Sequence, residues 1–238
     1  MLFRQLYDHE SSAYTYLIAA DFGREAVLID PVLKNIDRYL TLIQQLELKL
    51  VAALDTHLHA DHITAIGELS RRTNCQSLMG QQSDVQGVSA RFADNQLLKF
   101  DGFELKVLYT PGHTDDSYCF LMADRVFTGD TLFIRGTGRT DFQNGNPGQQ
   151  YDSLKNRLLN LPPHTLVYPG HDYNGMTVST IAEESKFNPR LQVKTREDYI
   201  VQMNSLNLPD PKMLHIAVPA NKKCGLSDEL DNPTNPAP

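Results

Sequence analysis

The sequence predicts a layered α/β domain in which two β-sheets pack face to face and helices cover them. Short apolar runs of the strand type recur along the chain and are separated by turn residues. Amphipathic stretches with helical spacing lie between some of these runs. Because strands come in groups with helices interspersed, two packed sheets with helical outer layers are the architecture that buries both kinds of apolar face.

Seven runs have the length and composition of strands. They cover residues 14–18, 26–29, 51–54, 105–109, 118–122, 125–128 and 165–169. Three stretches have helical periodicity, at residues 35–48, 62–72 and 151–161.

The chain of 238 residues has no linker rich in Gly, Ser or Pro, so we expect a single domain over residues 1–226. Residues 227–238 are rich in acidic residues and proline and have almost nothing apolar, which predicts a disordered tail. The three cysteines are scattered and in no C-x-x-C pair, so the sequence favours neither a disulfide framework nor a zinc ribbon.

Charge and hydropathy exclude two classes of partner. A formal charge of -7 argues against nucleic acid, since a phosphate-binding surface would need a basic excess. The apolar runs are too short to cross a bilayer, so no membrane contact is expected. The first residues lack a charged segment followed by an apolar one, which predicts a cytoplasmic protein.

The stretch THLHADH, at residues 56–62, concentrates side chains that can bind a metal. These are His57, His59, Asp61 and His62. If all four bind metal, the site holds two ions and hydrolysis is the expected chemistry. If only some bind, coordination positions stay open and other reactions become possible.

Three further ligand-capable side chains follow predicted strands. His113 lies in PGHT, Asp130 in TGDTL and His171 in PGHD. Side chains just past strand ends can be brought together from distant parts of a chain. Imidazole and carboxylate together suit zinc, iron or manganese, so the set predicts a metal-dependent enzyme.

These four motifs, in this order, resemble the metallo-β-lactamase superfamily. The resemblance implies a four-layered αβ/βα sandwich of two mixed β-sheets flanked by helices, with metals at one edge of the sheets. Carried over by position, it implies one metal at His57, His59 and His113, a second at Asp61, His62 and His171, and Asp130 bridging them.

Three other segments resemble one family within that superfamily, the persulfide dioxygenases. They are residues 129–145, which contain IRGTGRTDFQ, residues 171–191 and residues 216–225. Thr137 stands where many members have Cys. This resemblance implies one Fe(II) per chain, held by His57, His113 and Asp130. It leaves His59, Asp61, His62 and His171 to form hydrogen bonds with the ligands and bound water.

The implied reaction converts glutathione persulfide, O2 and water into sulfite and glutathione, a step of sulfide oxidation. An anionic tripeptide needs cationic and hydrogen-bonding partners. Arg139 and Arg190 are the predicted cations, with Tyr173 beside the site. Members of this family are often dimers, so a homodimer is expected.

Three alternatives remain open. The complete set of seven residues also fits a dinuclear hydroxyacylglutathione (thioester) hydrolase of the glyoxalase II kind. Hydrolysis of lactones or β-lactams shares the core motifs but leaves the IRGTGRTDFQ segment without a role. A regulatory protein that binds metal without catalysis is the third possibility.

Overall fold

Residues 1–226 are described by a computed structural model and form twelve strands and six α-helices. None of these helices is long and apolar enough to span a membrane. The predicted tail, residues 227–238, lies outside the described residues. The strands are β1 (Leu2–Tyr7), β2 (Tyr14–Ala19), β3 (Glu25–Ile29), β4 (Lys49–Leu54), β5 (Gln76–Gly80), β6 (Ala90–Phe92), β7 (Leu97–Phe100), β8 (Phe103–Tyr109), β9 (Tyr118–Leu121), β10 (Arg125–Gly129), β11 (Leu166–Pro169) and β12 (Ser179–Thr180). The helices are α1 (Ile36–Gln45), α2 (Ile66–Thr73), α3 (Pro147–Ser153), α4 (Ile181–Phe187), α5 (Arg196–Asn204) and α6 (Leu214–Asn221).

The strands form two mixed sheets of six. The first has the order β1-β2-β3-β4-β5-β6, antiparallel from β1 to β3 and parallel from β3 to β6. The second has the order β12-β11-β10-β9-β8-β7, in which only β10 and β11 are parallel. Strands β8, β10 and β11 therefore run in the same direction, and their carboxyl ends meet at one edge.

Three apolar clusters separate four layers. The central cluster joins the inner faces of the two sheets, with Ile29 and Leu54 on one side and Phe120 and Phe127 on the other. A second cluster packs α1 and α2 on the first sheet, and a third packs α3, α4 and α5 on the second. The predicted sandwich of two helix-covered sheets is confirmed.

All seven predicted runs coincide with strands to within two residues at an end, whereas helix boundaries differ more from the prediction. The stretch 62–72 becomes helical only at Ile66, because residues 62–65 belong to the loop that carries the metal-binding motif. The stretch 151–161 is part of a helix that already begins at Pro147, where the Asn146 side chain accepts from the backbone N–H of Gln149. That helix continues as a π-helical turn over Leu154–Leu158.

We predict that the central cluster sets the stability of the domain. Phe120 is fully buried between the sheets, so Phe120→Ala should lower the free energy of unfolding by about 3–5 kcal/mol. Phe22→Ala is the matched control, because Phe22 is 63% exposed and should change stability by less than about 0.5 kcal/mol. Urea denaturation measures both. Equal losses in the two variants would contradict this description of the core.

Candidate metal centre

Loops from both sheets bring the predicted site residues together. The loop after β4 in the first sheet carries THLHADH, while His113, Asp130 and His171 follow β8, β10 and β11 of the second sheet. The rings of His57 and His113 lie 4.9 Å apart, measured between centroids. One ligand atom each of His57, His113 and Asp130 lies within 4.8 Å of the others. The strand-end motifs therefore converge on one point.

The tautomer of His57 follows from its hydrogen bonds. Burial and the neighbouring His59 lower the pKa of His57 well below its ordinary value, so the ring is neutral. Its Nδ1 lies 2.9 Å from the hydroxyl of Thr56, which itself donates to Asp30 Oδ2 at 3.0 Å. The hydroxyl has one proton, so Nδ1 of His57 must be the donor between them. This leaves the lone pair of Nε2 free for a metal.

A hydrogen bond to a backbone oxygen likewise fixes the tautomer of His113. Its Nδ1 donates to the carbonyl of Arg139 at 2.6 Å, which leaves Nε2 without a proton in the neutral ring. That Nε2 lies 3.6 Å from Oδ2 of Asp130. Gly138 makes the approach possible, because a Cβ there would lie 2.8 Å from Nδ1 of His113 and against the carbonyl of Asp130.

His171 lies between two carboxylates and bonds to both. Its Nδ1 is 2.7 Å from Asp130 Oδ1, and its Nε2 is 2.8 Å from Asp61 Oδ2. Burial alone would lower the pKa of His171, but Asp130 and Asp61 raise it well above its ordinary value. Since an ionised carboxylate can only accept, both ring nitrogens are donors and His171 is an imidazolium.

His59 and His62 each use one nitrogen and leave the other without a partner. Nε2 of His59 lies 3.2 Å from Asp30 Oδ1, and Nδ1 of His62 lies 2.8 Å from Asp61 Oδ2. The remaining nitrogens, His59 Nδ1 and His62 Nε2, are buried and have no hydrogen-bond partner among the described residues. Because buried polar atoms are normally paired, these two nitrogens are suited to bind water or a further ligand.

Comparison with known proteins places this site in a family. The model of the metallo-β-lactamase superfamily matches residues 10–171. Mouse persulfide dioxygenase ETHE1, described as mitochondrial, is 45% identical over 229 residues, which are 95% of this chain and 89% of that protein. The crystal structure of ETHE1 from Myxococcus xanthus has 52% identity and a TM-score of 0.92, covering 95% of this chain and 100% of that one.

The chain belongs to the persulfide dioxygenase family. A probable hydroxyacylglutathione hydrolase of Schizosaccharomyces pombe is less similar, with 35% identity over 171 residues, 69% of this chain and 66% of that protein. The predicted superfamily and family are thus confirmed, together with a metal-binding site made of histidine and aspartate.

The three residues of this chain that were predicted to contact substrate lie in different surroundings. Tyr173 is 69% exposed, and its ring is parallel to that of His171 with 6.1 Å between centroids. The guanidinium of Arg139 pairs with Asp141 at 2.7 Å and donates to the carbonyl of Pro209 at 2.6 Å. Its link to the metal centre is the backbone carbonyl that accepts from His113.

Arg190 is partly buried and has neutral neighbours. Its Nη1 lies 3.4 Å from both the Thr137 hydroxyl and the Met203 sulfur. Burial lowers the pKa of Arg190, and within residues 1–226 its guanidinium contacts neutral groups and no carboxylate. Thr137 in turn contacts Tyr199 of α5, so Arg190 lies beside the loop that precedes Gly138.

Two residues of the site were missed by the sequence analysis. Asp30 and Thr56 fix His57, yet neither belongs to the ligand pattern. A signal for Asp30 does exist, since it directly follows the buried strand β3, as Asp130 follows β10. Its φ of 51 places it in a conformation that aspartate tolerates better than most residues.

We predict that the Thr56 hydroxyl contributes to metal affinity. Thr56→Val removes both hydrogen bonds that fix the tautomer of His57, and should weaken metal binding on the order of 10-fold. Thr56→Ser keeps the hydroxyl and should bind like the unaltered protein. Competition with a chromophoric chelator measures the affinity. A valine variant that binds as tightly as the serine variant would refute this assignment.

We predict that the absence of a side chain at Gly138 is also necessary for metal binding. Gly138→Ala places a methyl group against the Asp130 carbonyl and the His113 ring, so His113 must move and the metal affinity should fall on the order of 10-fold or more. Gly136→Ala is the control two residues away, since the nearest atom to its Cβ is 3.8 Å distant. Metal content after gel filtration distinguishes them, and equal content in both variants would contradict the prediction.

Proposed function

We propose that this chain is a glutathione persulfide dioxygenase with one Fe(II), held by Nε2 of His57, Nε2 of His113 and one oxygen of Asp130. Two imidazoles and one carboxylate are the donor set typical of non-haem Fe(II) oxygenases. The donor atoms lie within 4.8 Å of one another, a separation at which they could hold one metal ion. Both histidines present a nitrogen with a free lone pair, as a metal ligand requires.

The observation that carries the proposal of a single ion is the engagement of His171. With both nitrogens donating to carboxylates, His171 has no lone pair for a metal. The hydrogen bond from His171 to Oδ1 orients Asp130, and its Oδ2 lies on the side facing His113, so one oxygen is directed toward the two histidine ligands. This arrangement favours one metal and open coordination positions.

The proposed reaction consumes glutathione persulfide, O2 and water and yields sulfite and glutathione. Both oxygens of O2 and one of water end on the terminal sulfur, which leaves the inner sulfur with glutathione. Bound Fe(II) would supply the redox chemistry and the positions at which O2 and the sulfur substrate meet. The chain keeps His57 neutral and positions His113 and Asp130, so the donor atoms are fixed before substrate arrives.

Substrate recognition is proposed for Tyr173, Arg139 and Arg190. Tyr173 has the most direct support, because its exposed ring lies over His171 at the site. Arg190 can offer a charge with no carboxylate partner among the described residues, which favours an anion. For Arg139 an anion would compete with Asp141, so its contact with glutathione rests on the family resemblance. The predictions of a homodimer and of a cytoplasmic location stay predictions.

A dinuclear thioester hydrolase is the second candidate. The observation in its favour is the pair of buried unpartnered nitrogens on His59 and His62, which could face a second ion together with Asp61. That ion would also have to displace the two hydrogen bonds of His171.

Oxygen uptake by anaerobically iron-loaded protein tests the proposal. We expect about one iron per chain and O2 consumption with glutathione persulfide, but no hydrolysis of S-lactoylglutathione. His57→Ala and Asp130→Ala should lose iron and reduce oxygen uptake by more than about 100-fold, because each removes a ligand. His164→Ala, at an exposed position outside every group of side chains that could hold a metal, is the control and should retain both iron and oxygen uptake.

Two ions per chain with hydrolysis and no oxygen uptake would establish the alternative instead. Retained iron in either ligand variant would overturn the ligand assignment. Iron-loaded protein that consumes no O2 with the persulfide and hydrolyses no thioester would favour a metal-binding protein without this catalysis.

A further inference from the structure

The C-terminal end of α6 is bonded directly to the loop that carries the metal-binding motif. The side-chain amide of Asn221, buried to 2% exposure, donates to the carbonyls of His59 at 2.9 Å and His62 at 2.8 Å. Its oxygen accepts from the backbone N–H of Thr64 at 2.9 Å. One amide thus uses both donor hydrogens and its acceptor on three groups of a single loop.

The residues after Asn221 pack against the same loop and the helix that follows it. The carbonyl of Cys224 accepts from the backbone N–H of Gly67 in α2 at 3.2 Å. A Cβ at Gly67 would clash with that carbonyl, and one at Gly225 would clash with the carbonyl of Thr64. Such close approaches require glycine at both positions, so this contact is specific in shape as well as in hydrogen bonding.

The loop fixed by Asn221 carries the ligand His57 and reaches the ligand Asp130 through side-chain hydrogen bonds. Asp61 lies between the two carbonyls that the amide joins, and its carboxylate holds Nε2 of His171. His171 in turn holds Oδ1 of Asp130. His57 is fixed by Thr56 and Asp30, while His113 is fixed by the carbonyl of Arg139.

We propose that Asn221 is a positioning residue for the metal centre, acting through Asp61 and His171 on the carboxylate ligand Asp130. The inference rests on the ligand set of the proposed function. By joining the carbonyls of residues 59 and 62, the amide fixes the turn from which Asp61 projects. His57 lies two residues before His59 on the same loop but is held by Thr56 and Asp30, and His113 is held by the carbonyl of Arg139. Loss of Asn221 therefore alters chiefly the carboxylate side of the site.

Asn221→Asp tests the proposal with an isosteric change. It keeps an acceptor for Thr64 but loses both donors and sets a carboxylate oxygen against two carbonyls. We expect the dissociation constant for Fe(II), measured by chelator competition on the full chain, to rise on the order of 10-fold. The ligand-field bands of the Fe(II) protein should shift, while the KM for persulfide should stay close to that of the unaltered protein.

Val218→Ala is the matched control on the same helix. Val218 packs against the apolar cluster that joins α1 and α2 to the first sheet. Its side chain has no polar group and so cannot hydrogen bond to the motif loop. It should lower the melting temperature and leave iron affinity and the spectrum unchanged. If Asn221→Asp does not fold, Asn221→Ser serves instead, since it can donate to only one of the two carbonyls and should show a smaller loss of affinity.

An Asn221 variant that melts earlier but binds iron with unchanged affinity and spectrum would overturn the proposal, because Asn221 would then support the fold alone. A rise in the KM for persulfide with unchanged iron binding would also overturn it. Metal affinity is measured without turnover, so failure of the unaltered protein to oxidise persulfide would count against the proposed function and not against this inference.

Discussion

The metal centre depends on an ion chain of two carboxylates with a buried imidazolium between them. His171 donates to Asp61 at 2.8 Å and to Asp130 at 2.7 Å, and all three groups lie at the junction of the two sheets. A buried charge is tolerated only when it is paired and hydrogen bonded, so the imidazolium of His171 requires its carboxylate partners and Asp130 requires His171. Because Asp61 comes from the first sheet and the others from the second, the same contacts join the two halves of the site.

Glycines supply the space that these contacts need. A Cβ at Gly170 would lie 2.6 Å from Asp130 Oδ1, where His171 binds. Gly129, with a φ of +47, lies at the irregular end of β10 and faces the Thr56 side chain. The glycines that precede Asp130 and His171 in TGD and PGH therefore permit close backbone approach, and the polar residues beside them form the ion chain.

Much of the fold and the convergence of the candidate ligands could be predicted from the sequence, because strand periodicity and strand-end motifs are local patterns. The supports of the ligands are not local. Asn221 contacts Thr64 across 157 residues, and its segment has no periodicity that points to a buried polar contact. Arg139 was singled out by the sequence, but for a different group. Its residue type predicts that the guanidinium contacts an anion, whereas its backbone carbonyl is the group that orients His113.

The proposal of a single metal depends on protons as much as on the identity of the ligands. The seven residues that bind two ions in one reading of the motif are all present, yet a nitrogen that donates a hydrogen bond cannot also bind a metal. For His171 to become a ligand it would have to lose a proton that two carboxylates stabilise, and the facing charges that raise its pKa oppose that loss. His59 and His62 have nitrogens without a partner among the described residues, but without His171 they form an incomplete second site. The same ion chain that orients Asp130 therefore supports the proposal of one metal with open coordination positions, as oxygen chemistry requires.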